Sequence, residues 1–228
     1  MIATGITKDF GVMASDSASY VADAGKIAFE TPKLSIIGNK YILSFLGTPL
    51  YFSRLDVSKF TLPMNALSLY VQEYLRSMKK DVENILDQTV QDTDEKEPNF
   101  CLYVLGMHGK RPMLAQFNSF LDFAPRYLWS DNGLKFSSVL YGDDSNKEKQ
   151  AMFKESHDYM VKSAGKIPEV TPGLVGEILT RGIYHKADLE EKIGTKKKYA
   201  GGIVNAAGIM KDGKIFSLSG VEVVNGRS

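Results

Sequence analysis

Cysteine, tryptophan and histidine are scarce in this chain of 228 residues, which holds one Cys, one Trp and three His. The lone Cys101 excludes an internal disulfide and a cysteine-built zinc site, and inside a strand it reads as a small buried hydrophobe. His108, His157 and His185 lie far apart, one in a turn and two on separate helices, and read as surface or boundary histidines. Asp131 and the pair Asp143-Asp144 fit no calcium-loop pattern, and there is no glycine-rich phosphate loop. No metal or cofactor is therefore expected. Charge of either sign is not in excess: 28 Lys and Arg against 27 Asp and Glu give a net charge of +1. That balance carries no electrostatic footprint for nucleic acid or an anionic membrane. No apolar run reaches the ~18 residues of a membrane span, and the N-terminus lacks the basic-then-apolar order of a signal peptide. With 43% apolar and 24% charged residues, the expectation is a soluble protein of the cytosol, or of a particle assembled there.

What is present is a regular succession of elements in what reads as one domain over residues 1–228. Met1–Thr7 and Gly11–Ser15 read as a hairpin, followed by a second pair, Lys33–Ile37 and Tyr41–Phe45, joined at Gly38-Asn39-Lys40. Thr48-Pro49 suits the start of a helix. A long helix is predicted from Met64 to about Asp92, with Leu67, Val71, Leu75, Met78 and Val82 at helical spacing. Strands follow at Phe100–Leu105, Met113–Phe117, Arg126–Trp129 and Ser137–Tyr141. Helices follow near Asn146–Ser163 and Pro172–Ile193. A closing hairpin, Gly201–Met210 with Lys214–Ser219, turns at Lys211-Asp212-Gly213. Strands in blocks, separated by two pairs of helices, argue against a parallel βαβ sheet. Two stacked antiparallel sheets with a helix pair on each outer face would bury every apolar stripe. The fold class expected is α+β, a four-layer αββα sandwich.

Several short motifs occur in order along these elements. They are Gly5-Ile6, Gly11-Val12-Met13-Ala14-Ser15-Asp16-Ser17, Pro32-Lys33-Leu34 and Leu43-Ser44-Phe45-Leu46-Gly47, with Ala200-Gly201-Gly202 and Lys211-Asp212-Gly213 near the end. In these the chain resembles the proteasome β-subunit family, which includes the bacterial heat-shock-locus peptidase and ancestral β-like subunits. Motif-level likeness is confined to roughly the first quarter and last tenth of the chain, while element order fits throughout. Members are N-terminal nucleophile hydrolases: a threonine freed at the start of the first strand attacks through its hydroxyl, with its own α-amine as base. The resemblance implies that Lys33 is the lysine that tunes this amine, Asp16 the aspartate that pairs with the lysine, and Gly47 the backbone oxyanion donor. Read without the resemblance, Lys33 is a solvated charge, Asp16 a turn former and Gly47 a strand end.

The nucleophile is where the chain departs from the family. Alignment on Gly5-Ile6 puts Met1 at the threonine position, and a thioether has no proton to give up. Removal of Met1 would expose Ile2, equally inert. Thr4 is the only nearby hydroxyl that processing could free, by cleavage after Ala3. A shift of three along a strand moves the hydroxyl roughly 10 Å and turns it to the opposite face. The family's serine before the Gly-Gly pair is Ala200 here, and Lys196-Lys197-Lys198 stand where an acid is expected.

Three functions follow. The first is a ring- or particle-forming subunit without catalysis, a pseudoenzyme whose partners are copies of itself or other subunits of a larger assembly. The second is an active threonine peptidase of a self-compartmentalised barrel, fed by an ATP-dependent unfoldase, with Thr4 exposed by processing. The third is a monomeric binding protein of the same fold.

Overall fold

A computed structural model describes residues 1–20, 27–30, 33–47, 49–52, 55–89, 100–139, 147–193, 202–219 and 222–224. The first hairpin pairs β1 (Ile2–Ile6) with β2 (Phe10–Asp16), and the Thr7 hydroxyl caps its turn by accepting from the N–H groups of Asp9 and Phe10. Two short strands absent from the expectation, β3 (Ala18–Tyr20) and β4 (Ile27–Glu30), form a small sheet of their own. The hairpin of β5 (Leu34–Ile37) and β6 (Tyr41–Gly47) turns where expected, with Asn39 at a positive φ of 50°. Pro49–Phe52 and Val57–Thr61 are 3₁₀ turns, the second capped by the Asp56 carboxylate. Among the described residues this layer therefore holds one long α-helix, α1 (Met64–Thr89), rather than the expected helix pair.

The chain continues through β7 (Phe100–His108), β8 (Arg111–Asn118), β9 (Arg126–Leu128) and β10 (Lys135–Val139). Two helices, α2 (Lys147–Ala164) and α3 (Pro172–Ile193), lead to β11 (Val204–Met210) and β12 (Ile215–Ser219). A last strand that the sequence did not announce, β13 (Glu222–Val224), joins β5 in parallel. The molecule is thus mixed α and β, with two main sheets that are antiparallel apart from β13. One has the order β10-β1-β2-β11-β12, the other β13-β5-β6-β7-β8-β9.

Three apolar clusters hold these elements together. Leu67, Val71, Leu75 and Val82 of α1 pack on Leu102, Val104 and Phe117 of the six-stranded sheet. Val175, Leu179 and Ile183 of α3 pack with Met160 of α2 against Met1, Ala3, Val12 and Ala14 of the five-stranded sheet. Between the sheets, Ile2, Ile6 and Met13 meet Ile42, Leu46, Tyr103 and Leu105. A strand of the five-stranded sheet is thus covered on both faces, and all residues of β1 and β2 are buried. No helix among the described residues is long and apolar enough to cross a membrane.

Candidate functional site

The hairpin register brings the start of β1 beside the end of β2. Ile2 pairs with Ser15, and the Asp16 N–H donates to the Met1 carbonyl at 3.3 Å. The next step outward sets the Met1 α-amine against the Asp16 side chain, where it donates to Oδ2 at 2.8 Å. Lys33, at the entry to β5 in the other sheet, reaches across and donates to Oδ1 at 3.0 Å. One fully buried carboxylate thus bridges two amines. Such a bridge is favoured because a carboxylate accepts along several lone pairs, and charge-assisted bonds are the strong ones. Ser17, next along the chain, accepts from the Ile203 N–H at 2.9 Å and ties the end of β2 to the entry of β11.

Burial pushes the Met1 amine down to about 6 from its ordinary 8.0. Asp16 opposes that shift, while the cations of Lys33 and Lys186 add to it. At neutral pH the amine is therefore mostly neutral, the form that can act as a base. The residue that bears the amine carries no hydroxyl of its own for such a base to serve. The Met1 side chain is 1% exposed and belongs to the apolar cluster formed with Ala3, Val175 and Ile178.

Gly47 ends β6 with a φ of 99°, a conformation that demands glycine. Leu34 pairs with Ser44 and Gly47 with Phe100, so Lys33 and Gly47 lie at the same end of the six-stranded sheet. Thr4 sits at the middle of β1, paired with Met13 on one side and Ser137 on the other, and is fully buried. Alternation sets it on the inter-sheet face with Ile2 and Ile6, opposite to the face of Met1. Ala200 and Lys196–Lys198 lie outside the described residues, as do Pro32, Thr48, Asp143 and Asp144.

Two charged residues at this site escaped the sequence reading. Lys186 and Glu190 are one helical turn apart on α3, both buried and paired with each other, and the Lys186 cation acts on the Met1 amine. The signal was there to find. Lys186 and Glu190 continue the stripe of Leu179 and Ile183 at spacings of 4, 3 and 4, so a helix that buries the leucine also buries the charges. Among the described residues no group of three or more His, Cys, Asp or Glu could hold a metal ion. His157 instead shares a hydrogen bond with Ser138 at 3.1 Å, and His185 stacks on Tyr159 at 4.7 Å between ring centroids.

Compared with models of known protein families, and with curated protein sequences, the chain matches none.

Proposed function

We propose that this chain is a non-catalytic subunit of the proteasome β-like kind, a four-layer αββα sandwich that assembles with copies of itself into a ring or larger particle. The observation that carries the reading is the state of Met1. Its amine keeps the polar partners of an N-terminal nucleophile site, Asp16 and Lys33, while its side chain is a thioether packed into the core at 1% exposure. An acyl-transfer site needs a nucleophilic atom that a substrate carbonyl can approach. This arrangement offers a buried amine, a buried aspartate and no such atom. The threonine-peptidase reading requires Thr4 at a chain end, whereas Thr4 is fully buried with a strand on either side. In support of assembly, apolar side chains stand exposed at one end of the six-stranded sheet: Phe120, Leu121, Tyr127 and Trp129, around the three-residue edge strand β9. Exposed apolar groups on and beside an edge strand suit a contact surface.

The test is native mass spectrometry with intact-mass measurement of the same sample, alongside hydrolysis of fluorogenic peptides. The expected result is an oligomer built from 25.3 kDa chains, with no hydrolysis. A monomer at every concentration rejects the assembly. Hydrolysis by a chain whose mass begins at Thr4 rejects the loss of catalysis and favours the peptidase, with an unfoldase as its partner.

A further inference from the structure

One row of polar side chains runs through the largely apolar interior between the two sheets. In the six-stranded sheet Ser44 pairs with Tyr103, and Tyr103 with Gln116. In the five-stranded sheet Thr4 pairs with Ser137. The two rows are joined across the gap, since Gln116 Nε2 donates to Ser137 Oγ at 2.5 Å and the Tyr103 phenol shares a hydrogen bond with the same serine. Thr4 and Ser44 are the two members left over. Each is 0% exposed, and neither hydroxyl has a hydrogen-bond partner. Buried hydroxyls are nearly always satisfied, by protein or by ordered water, because an orphan carries its full desolvation penalty.

Position points to what satisfies them. Thr4 is the middle residue of β1, between Ile2 and Ile6, and Ser44 stands between Ile42 and Leu46 on β6; these four apolar neighbours share the inter-sheet cluster. Alternation therefore turns both hydroxyls into the space between the sheets. The strands that carry them face each other across that space, some Cα atoms of β1 and β6 lying within 8 Å. We propose that Thr4 Oγ1 and Ser44 Oγ form a binding site for a single internal water molecule. Each hydroxyl offers one donor and two lone pairs, and a water returns two donors and two acceptors. Internal waters occupy polar niches that provide two to four such partners. The adjoining hydroxyls of Ser137 and Tyr103 are already engaged with each other and with Gln116, so the water completes the row. It fastens the first strand, whose start carries the Met1 amine, to the opposite sheet. Complete burial excludes a larger ligand.

The experiment is a high-resolution crystal structure of the full chain, with thermal melts of Thr4→Val, Ser44→Ala and the double variant. The expected result is a solvent peak within hydrogen-bonding distance of both oxygens. Each single variant then melts lower, by roughly 2–4 °C, because it strips the water of a partner at nearly constant shape. The double variant loses less than the sum, since the same water is lost once. A wild-type map with no peak there overturns the site, as does a direct bond between the two hydroxyls. A Thr4→Val protein that melts higher overturns it too, because removing an unsatisfied hydroxyl stabilises. If Thr4→Val does not fold, the wild-type map decides by itself.

Discussion

Lys186 donates to Glu190 one turn further along α3, and the two side chains are 1% and 0% exposed. A charge pair this deep is a poor source of net stability, since desolvation offsets the attraction, yet removing one partner deprives a buried charge of its counter-charge. Lys186→Met is therefore expected to cost about 3–5 kcal/mol, while Lys186→Met with Glu190→Leu recovers most of that loss. Denaturant midpoints of the three proteins measure it. A double variant as unstable as the single one would show that the two charges do not act as a unit.

The Met1 amine makes stability depend on pH. Its native value of about 6 lies below the 8.0 of the unfolded chain, so the native state holds fewer protons between them. The contribution is present above about pH 8 and is lost as pH falls through about 6, amounting to roughly 3 kcal/mol. Chemical denaturation across that range should show stability rising with pH. Removing the Lys186 cation relieves part of the shift, so in Lys186→Met the rise moves to higher pH and shrinks. A profile unchanged by that variant would contradict the field of Lys186 at the amine.

Asp16→Asn keeps the shape of the bridge and removes the charge that both amines face. The expected cost is about 3 kcal/mol or more, read as a melting temperature lower by roughly 6–12 °C. The Met1 amine should also titrate lower still, because the carboxylate is what holds it up. Lys33, 13% exposed, is closer to water than Asp16 or the Met1 amine, so Lys33→Met is expected to cost less. Equal losses in the two variants would contradict this ordering.

Gly208 in β11 is fixed by close approach. A Cβ there would stand 2.8 Å from the Gly11 carbonyl oxygen on β2 and against the Phe216 ring. The ring can swing aside; the backbone oxygen of a paired strand cannot. Gly208→Ala should cost about 1–3 kcal/mol, with the strain localised to β2 and β11. Amide exchange of those two strands, compared with β7 and β8, tests the localisation.

Much of this protein follows from local sequence. The spacing of Leu67, Val71, Leu75, Met78 and Val82 specifies α1 within a few residues of its observed end, and the Lys211-Asp212-Gly213 turn brings β11 against β12. That Asp16 pairs with Lys33 is implied by the family resemblance and not by the residues alone, and the two do meet. The short strands β3, β4 and β13 were not legible: three or four residues carry too little periodicity, and β13 is held by its pairing with β5. Nor was the orientation of β1 and β2. Every residue of both is buried, so the contrast between polar and apolar faces that normally reports orientation is missing. Only the stacking of the sheets decides that Met1 faces α3 while Thr4 faces the opposite sheet. Only the docking of α3 sets the Lys186–Glu190 pair beneath the amine, because burial and electric fields depend on what lies across the fold rather than along the chain.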